Sequence, residues 1–234
     1  MGHDSFGSSQ GRLDHGMEVS PYYFESVRLG TAFQEENKSW AGFDVVKYQN
    51  KIKDLVDRYN AKTILDYGCG KGQQYTDPLP YAGEDNWQTF DAFLGVTVYR
   101  YDPCVKGLDT LPPEGTKFDG VICTQVLNSI PDDDLPWVAK KLESYADKFC
   151  FIGLNFQRPA KGKKTMYDPA YFREPRTRDF FRKYFTDWQG SDLFWWWKDR
   201  SHYPAWLDDQ LNGTWKDIPD TFEGKYQFIE AIYR

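Results

Sequence analysis

Apolar residues Val45, Tyr48, Ile52, Leu55, Val56 and Tyr59 recur at three- and four-residue spacing with Lys and Asp between them, which predicts a helix from about Asp44 to Tyr59. The pattern then changes. Thr63–Tyr67 is a short apolar run that breaks into the glycines after it and reads as a buried strand. Asn86–Leu94 predicts a short helix with Trp87, Phe90 and Phe93 or Leu94 on one side. Val96–Tyr101, Phe118–Thr124 and Phe149–Leu154 predict further strands, and Pro131 with the acidic run after it opens a helix reaching about Asp147. Strands alternating with helices predict βαβ units, a mostly parallel sheet and the α/β class. Beyond them, Pro159 to Arg178 reads as loop, Arg178–Phe185 as a helix, and Leu193–Lys198 and Tyr226–Tyr233 as strands at an antiparallel C-terminal edge.

Composition narrows the class. The 234 residues include 9 Trp, 16 Tyr and 17 Phe, an aromatic share of 18% that rules out disorder, coiled coil and collagen-like repeats. No uncharged apolar run is long enough for a membrane helix. The first twenty residues hold four Gly and four Ser without an apolar stretch, and are expected to be a flexible tail rather than a leader. Cys69, Cys104, Cys123 and Cys150 show neither C-x-x-C spacing nor a Cys/His cluster, so the expectation is a reduced, cytoplasmic protein without a metal site. The net charge of -6 argues against indiscriminate nucleic-acid coating. It is unevenly placed: residues 77–134 carry eleven acidic and three basic side chains, whereas residues 158–183 carry nine basic and three acidic ones.

The informative stretch is Ile64-Leu65-Asp66-Tyr67-Gly68-Cys69-Gly70-Lys71-Gly72. A strand closes on a carboxylate, and three glycines at alternate positions make a sharp turn whose backbone has no Cβ to keep a ligand away. A dinucleotide fingerprint G-x-G-x-x-G needs glycine where Gln73 stands. A phosphate-binding G-x-x-x-x-G-K-[ST] needs glycine at 65 and a hydroxyl at 72, and finds Leu65 and Gly72.

The pattern that fits is D-x-G-x-G-x-G, and with it the chain resembles the class I, Rossmann-like S-adenosylmethionine-dependent methyltransferases. Two further stretches carry the resemblance: Val96–Asp102, a strand closing on an acid, and Phe118-Asp119-Gly120-Val121-Ile122-Cys123-Thr124, which matches the family's fourth strand. The likeness spans about Lys47 to Phe156. It implies a doubly wound, seven-stranded sheet in a single domain and S-adenosyl-L-methionine as cofactor. It also implies a cofactor-contact set of Asp66, Tyr67, Gly68, Cys69, Gly70, Gly72, Asp102, Pro103, Gln125 and Val126. Asp66 would lie by the cationic methionine end, the loop would pass the cofactor with bare backbone, and Asp102 would accept both ribose hydroxyls. The same side chains also suit a helix cap (Asp66) and a turn before Pro103 (Asp102). Asp109 suits a surface turn better than an adenine contact.

Departures from the family bear on the acceptor. Many small methyltransferases follow the fourth strand with a D-V-L-E-H-I-like run, where this chain has Gln125-Val126-Leu127-Asn128-Ser129-Ile130, so no general base carries over to position 129. Asp77-Pro78-Leu79-Pro80-Tyr81 and Pro103-Cys104 look like nucleic-acid methylation motifs but follow the wrong strands.

The remaining chemistry lies toward the C-terminus, where residues 158–183 interleave positive charge with aromatics. Arg173, Arg176, Trp195 and Trp197 are the candidate substrate contacts. His202 is the one histidine outside the first twenty residues and the candidate catalytic base. The expected organisation is a tail over 1–20 and a methyltransferase domain over 21–234. That domain divides into a helical segment (21–60), a cofactor core (61–156) and a substrate-specificity part with the sheet edge (157–234). The expected activity is in-line methyl transfer to a small-molecule or nucleotide-like, anionic or aromatic acceptor. The competing reading is a non-catalytic module of the same fold that binds nucleic acid or a protein through 158–183. A third keeps the cofactor and transfers another group, such as aminopropyl.

Overall fold

Alternation along three adjacent strands assigns the chain its two cores. Leu65 and Tyr67, Val121 and Cys123, and Cys150 and Ile152 point to one face; Ile64, Ile122, Phe149 and Phe151 point to the other. A computed structural model describes residues 19–37, 40–81, 86–155, 183–184, 192–195 and 226–232. The strands are β1 (Thr63–Tyr67), β2 (Leu79–Pro80), β3 (Trp87–Gln88), β4 (Thr97–Tyr101), β5 (Phe118–Thr124), β6 (Ala146–Asn155), β7 (Asp192–Trp195) and β8 (Tyr226–Ile232). The helices are α1 (Pro21–Asn37), α2 (Gln49–Arg58), α3 (Phe90–Leu94) and α4 (Leu135–Tyr145), with short 3-10 turns at Phe43–Tyr48, Gln73–Tyr75 and Leu127–Ser129.

The main sheet has the order β4-β1-β5-β6-β8-β7. The first four strands are mutually parallel, and β8 pairs antiparallel with both β6 and β7. Six strands of this sheet lie among the described residues, where the resemblance implies seven. Both faces are covered, as a buried parallel sheet requires. One face packs on α4 and on Tyr23 of α1; the other packs on α2, the turn before it and α3. Gly120 makes room for the ring of its partner on the neighbouring strand, since a Cβ there would lie 2.3 Å from Phe149 Cζ.

Several expectations shift in detail. The helix expected over 44–59 is a 3-10 turn up to Tyr48 and becomes α-helical only at Gln49. The helix expected over 86–94 contracts to Phe90–Leu94. Trp87 pairs across to Pro80 in a two-stranded ribbon, where it is 64% exposed rather than joining Phe90. After the glycine loop only the turn Gln73–Tyr75 forms before Pro78 and Pro80 intervene. The loop at 159–178 lies outside the described residues, as does the helix at 178–185 apart from a turn at residues 183–184.

One helix stands where no periodic apolar pattern announces it. Tyr23, Val27, Gly30 and Gln34 fall at helical spacing along the inner side of α1, but the stripe mixes an aromatic, a glycine and an amide. The helix is fixed at its start. Ser20 donates its backbone N–H and its hydroxyl to the two oxygens of Asp134, both at 2.7 Å, and Tyr23 packs edge-on against Trp137. Among the described residues no helix is long and apolar enough to cross a membrane.

Candidate functional site

The carboxyl ends of β4, β1 and β5 open into one cleft. The chain runs from β1 out to β4 and returns across β1 to β5, so the cleft lies where the strand order reverses, the usual place for a ligand in such sheets. It has about 910 Å³ of empty space, part of it open to solvent.

The glycine loop is held from both sides. Gly68 and Cys69 donate their N–H groups to the Tyr101 carbonyl at 2.6 and 3.0 Å, and Gly70 donates to Asp102 Oδ2 at 2.8 Å. Lys71 and Gln73 donate to the carbonyls of Trp40 and Ala41, which strap the loop from above. The glycines serve this packing directly. At Gly68 (φ +84°) a Cβ would lie 2.1 Å from Val126 Cγ2, and at Gly70 (φ +60°) one would lie 2.2 Å from the Trp40 carbonyl oxygen. The bare backbone expected to face a ligand is therefore also what lets the loop pass between Val126 and the strap.

Asp66 is 1% exposed. Its Oδ2 accepts from Tyr75 Oη at 2.7 Å and Gln74 Nε2 at 3.2 Å, while its Oδ1 has no hydrogen-bond partner. Burial pushes its pKa up to about 7; the Tyr75 and Gln74 donors offset part of the rise, and the nearby Asp102 adds to it. Asp102 has a partner on each oxygen, Gly70 N–H on Oδ2 and Cys104 N–H on Oδ1, both at 2.8 Å. Burial raises its pKa too, and those two N–H groups work against the rise. Asp102 thus makes the turn before Pro103 and clamps the loop, yet each oxygen keeps acceptor capacity for a ligand hydroxyl. Asp102→Ala is expected to weaken nucleoside binding at least tenfold and also to lower stability by about 1–3 kcal/mol, because two backbone donors lose their acceptor. Parallel ligand titration and urea melts separate the two losses.

Gln125 closes the far side of the cleft in a left-handed conformation (φ 61°), uncommon for a residue with a side chain. Its N–H donates to the Gly153 carbonyl at 2.8 Å, and its Nε2 donates to Tyr48 Oη at 2.8 Å. Of the contact set read from the sequence, Asp66, Gly68, Cys69, Gly70, Asp102, Pro103, Gln125 and Val126 line the cleft. Tyr67 and Gly72 do not. The Tyr67 ring points to the opposite face of β1 and packs on Tyr101 with centroids 4.8 Å apart, and Gly72 turns toward Arg100 and Leu108. Asp109 is exposed and accepts the Gly107 N–H at 3.1 Å, a surface turn. Arg173, Arg176, Trp197 and His202 lie outside the described residues, as does the side chain of Trp195.

The sequence reading missed the wall opposite the loop. Tyr23, Ser26, Val27 and Gly30 of α1, with Trp40, Asp44 and Gln74, all face the cleft. Gly30 allows the close approach of α1, since a Cβ there would meet Cys104 Sγ at 2.6 Å. Burial pushes the Cys104 thiol up to about 12, which keeps it protonated and unreactive at neutral pH. Among the described residues the lining carries three carboxylates, Asp44, Asp66 and Asp102, and no Lys, Arg or His. Asp44 is paired with Lys47, so the two buried acids dominate the field inside. Such a lining favours a cation bearing hydroxyls and provides no counter-charge for a pyrophosphate.

No protein-family model matches the sequence, and no curated protein matches it. Solved structures similar to the chain include a SAM-dependent methyltransferase from Archaeoglobus fulgidus, 11% identical with a TM-score of 0.45, covering 86% of this chain and 98% of that one. Magnesium protoporphyrin IX methyltransferase from Synechocystis PCC 6803, with bound SAH, is 14% identical with a TM-score of 0.46, covering 89% and 100%. A phosphoethanolamine N-methyltransferase from Haemonchus contortus, in complex with phosphomonomethylethanolamine and S-adenosylhomocysteine, is 9% identical with a TM-score of 0.46; the match covers 87% of this chain and 60% of that one. Similarity this distant assigns neither ligand nor activity.

Proposed function

We propose that this protein is an S-adenosylmethionine-dependent methyltransferase acting on a small-molecule or nucleotide-like acceptor. One observation carries the reading. A buried carboxylate, Asp66, one of whose oxygens has no hydrogen-bond partner, lines the cleft together with a second buried acid, Asp102, and the glycine loop that Asp102 holds. The residues fit the cofactor: Asp66 would take its cationic amino-acid end and Asp102 its ribose hydroxyls, with the loop backbone from Gly68 to Gly70 alongside. Bound there, S-adenosylmethionine supplies a methyl group on a positively charged sulfur. The seven-strand, single-domain arrangement belongs to the same reading.

The chain's own part is binding, orientation and exclusion of water. The strap at Trp40–Gly42 and the inner side of α1 cover the loop, which lowers the local dielectric around both acids and strengthens their pull on a cation. Gln125, fixed at backbone and amide, gives the cleft a rigid wall at the end of β5. No described side chain needs to move a proton; in-line alignment of donor and acceptor supplies much of the acceleration in a transfer to a good nucleophile. Arg173, Arg176, Trp195, Trp197 and His202 are the proposed acceptor side of the site.

The test is a transfer screen with methyl-tritiated S-adenosylmethionine over small amines, carboxylic acids, phenols, nucleotides and RNA. Label in one acceptor class, lost on Asp66→Asn, is expected. Cofactor binding without transfer to any acceptor would favour a binding module of the same fold.

A further inference from the structure

α1 spans the cleft, pinned to one bank at its start and to the other at its end. At the start, Asp134, just before α4, accepts both Ser20 donors at 2.7 Å, and Tyr23 packs edge-on against Trp137 of α4. Ser26 donates its hydroxyl to the Ser129 carbonyl at 3.3 Å. At the far end Lys71 of the glycine loop donates its Nζ to the Gln34 carbonyl at 3.0 Å. The strap beyond is held by the N–H groups of Lys71 and Gln73.

The α1 residues that line the cleft, Tyr23, Ser26, Val27 and Gly30, lie no further along the helix than Gly30. This part of α1 sits on the turn after β4. Cys104 Sγ donates to the Val27 carbonyl at 3.6 Å, and Gly30 lets the helix come down on the same thiol. Asp102 opens that turn and is 7% exposed, so a nucleoside on its carboxylate needs more room than the closed helix leaves.

The two attachments differ in kind. The far end continues into a strap bonded main chain to main chain with the loop, whereas both Ser20 bonds at the start end on the single side chain of Asp134. Adhesion in between is small. The inner side offers Tyr23, a half-buried Val27, Gly30 and Gln34, and Gln34 is buried with neither end of its amide paired, a cost to the closed helix. An element with few buried apolar contacts is one that opens ahead of the rest of a fold.

We propose that α1 is the lid of the cleft, latched at its start by Ser20 on Asp134 and hinged at the far end where the loop holds the strap. It lifts to admit the ligand and closes again over the occupied turn. The assignment rests on the cofactor reading above and adds to it the way in.

The experiment uses the full chain and S-adenosylhomocysteine as probe, with two latch variants, Ser20→Ala and Asp134→Ala. Ser144→Ala, which removes an exposed hydroxyl bonded to the Lys141 carbonyl on α4, is the control. Amide hydrogen exchange reads the free protein. A helix of 17 residues is marginal once it leaves its support, so its amides exchange whenever the lid lifts. Ser20→Ala is expected to speed exchange in α1 roughly tenfold, the loss of one hydrogen bond to a charged group. Asp134→Ala should speed it further, and β1 and β5 should keep their wild-type protection, which shows that both variants fold. Stopped-flow mixing reads entry. The wild-type uptake rate should level off at high ligand concentration, where lid opening is limiting; Ser20→Ala should raise that plateau and Ser144→Ala leave it unchanged. Uptake that stays linear in ligand with one slope for wild type and Ser20→Ala, or exchange that rises equally in α1 and the sheet, overturns the lid and leaves the cofactor reading standing. No binding by wild type or by either latch variant overturns both.

Discussion

Asp66→Asn is expected to abolish binding of S-adenosylhomocysteine and, at about pH 8, to make the free protein more stable. The two effects have one cause. Asp66 is charged, fully buried and short of a partner on Oδ1, so its pKa rises from an ordinary 3.8 to about 7 on folding. Between those values the folded chain holds a proton that the unfolded chain has released, so stability falls as pH rises across the interval and stays low above it. Three pKa units correspond to about 4 kcal/mol, an upper figure for what ionisation costs the free protein. An asparagine never ionises and still offers an oxygen to Tyr75 and Gln74. Its stability advantage should thus be absent near about pH 4, grow through the interval and level off above about pH 7. Toward the ligand it presents an N–H₂ where the carboxylate presented an acceptor, and two donors facing each other do not bind. Thermal melts of wild type and variant at several pH values check the first half, and ligand titration checks the second. A variant less stable than wild type at every pH would mark Asp66 as a structural anchor instead.

Gly70→Ala has the next largest expected effect. The position has φ +60°, where an alanine costs about 1–2 kcal/mol. The new Cβ would also stand 2.2 Å from the Trp40 carbonyl oxygen, and this neighbour is backbone that no rotamer change can move aside. Relief requires the strap to lift, which weakens the bonds from Lys71 and Gln73 to Trp40 and Ala41. A total loss of about 2–5 kcal/mol is expected in urea melts, with at least tenfold weaker ligand binding. Gly107→Ala is the control: its φ is +87° but nothing lies within 4 Å of the added carbon, so it isolates the conformational strain. Equal losses in the two variants would show that the strap does not press on the loop.

The parts of this fold that were legible in the sequence are those where one physical signal dominates. Ile64, Leu65, Val121 and Ile122 sit on strands buried on both faces, so they read as apolar runs. The glycine spacing marked the loop, since positive φ at alternate positions is a backbone requirement that few other residues meet. α1 was not legible as a wall of the cleft. Its inner side combines Tyr23, Gly30 and Gln34, chosen for a close approach to Cys104 and the loop rather than for apolarity. Tyr67 was assigned to the site through its place in the motif, although strand alternation sends its ring to the other face from Asp66. Gln74 and Tyr75 carried no signal because their role depends on a turn that brings them back over β1. The pairing of Gln125 with Tyr48 likewise joins residues 77 apart in the chain.

The central claim is that this cleft holds S-adenosylmethionine by its amino group and its ribose. The most direct test is a crystal structure of the full chain with S-adenosylhomocysteine. The account predicts the ligand's amino nitrogen beside the Asp66 carboxylate and its ribose hydroxyls on the Asp102 carboxylate. A ligand bound elsewhere, or one lying in the cleft with its nucleoside at Asp66, would contradict it.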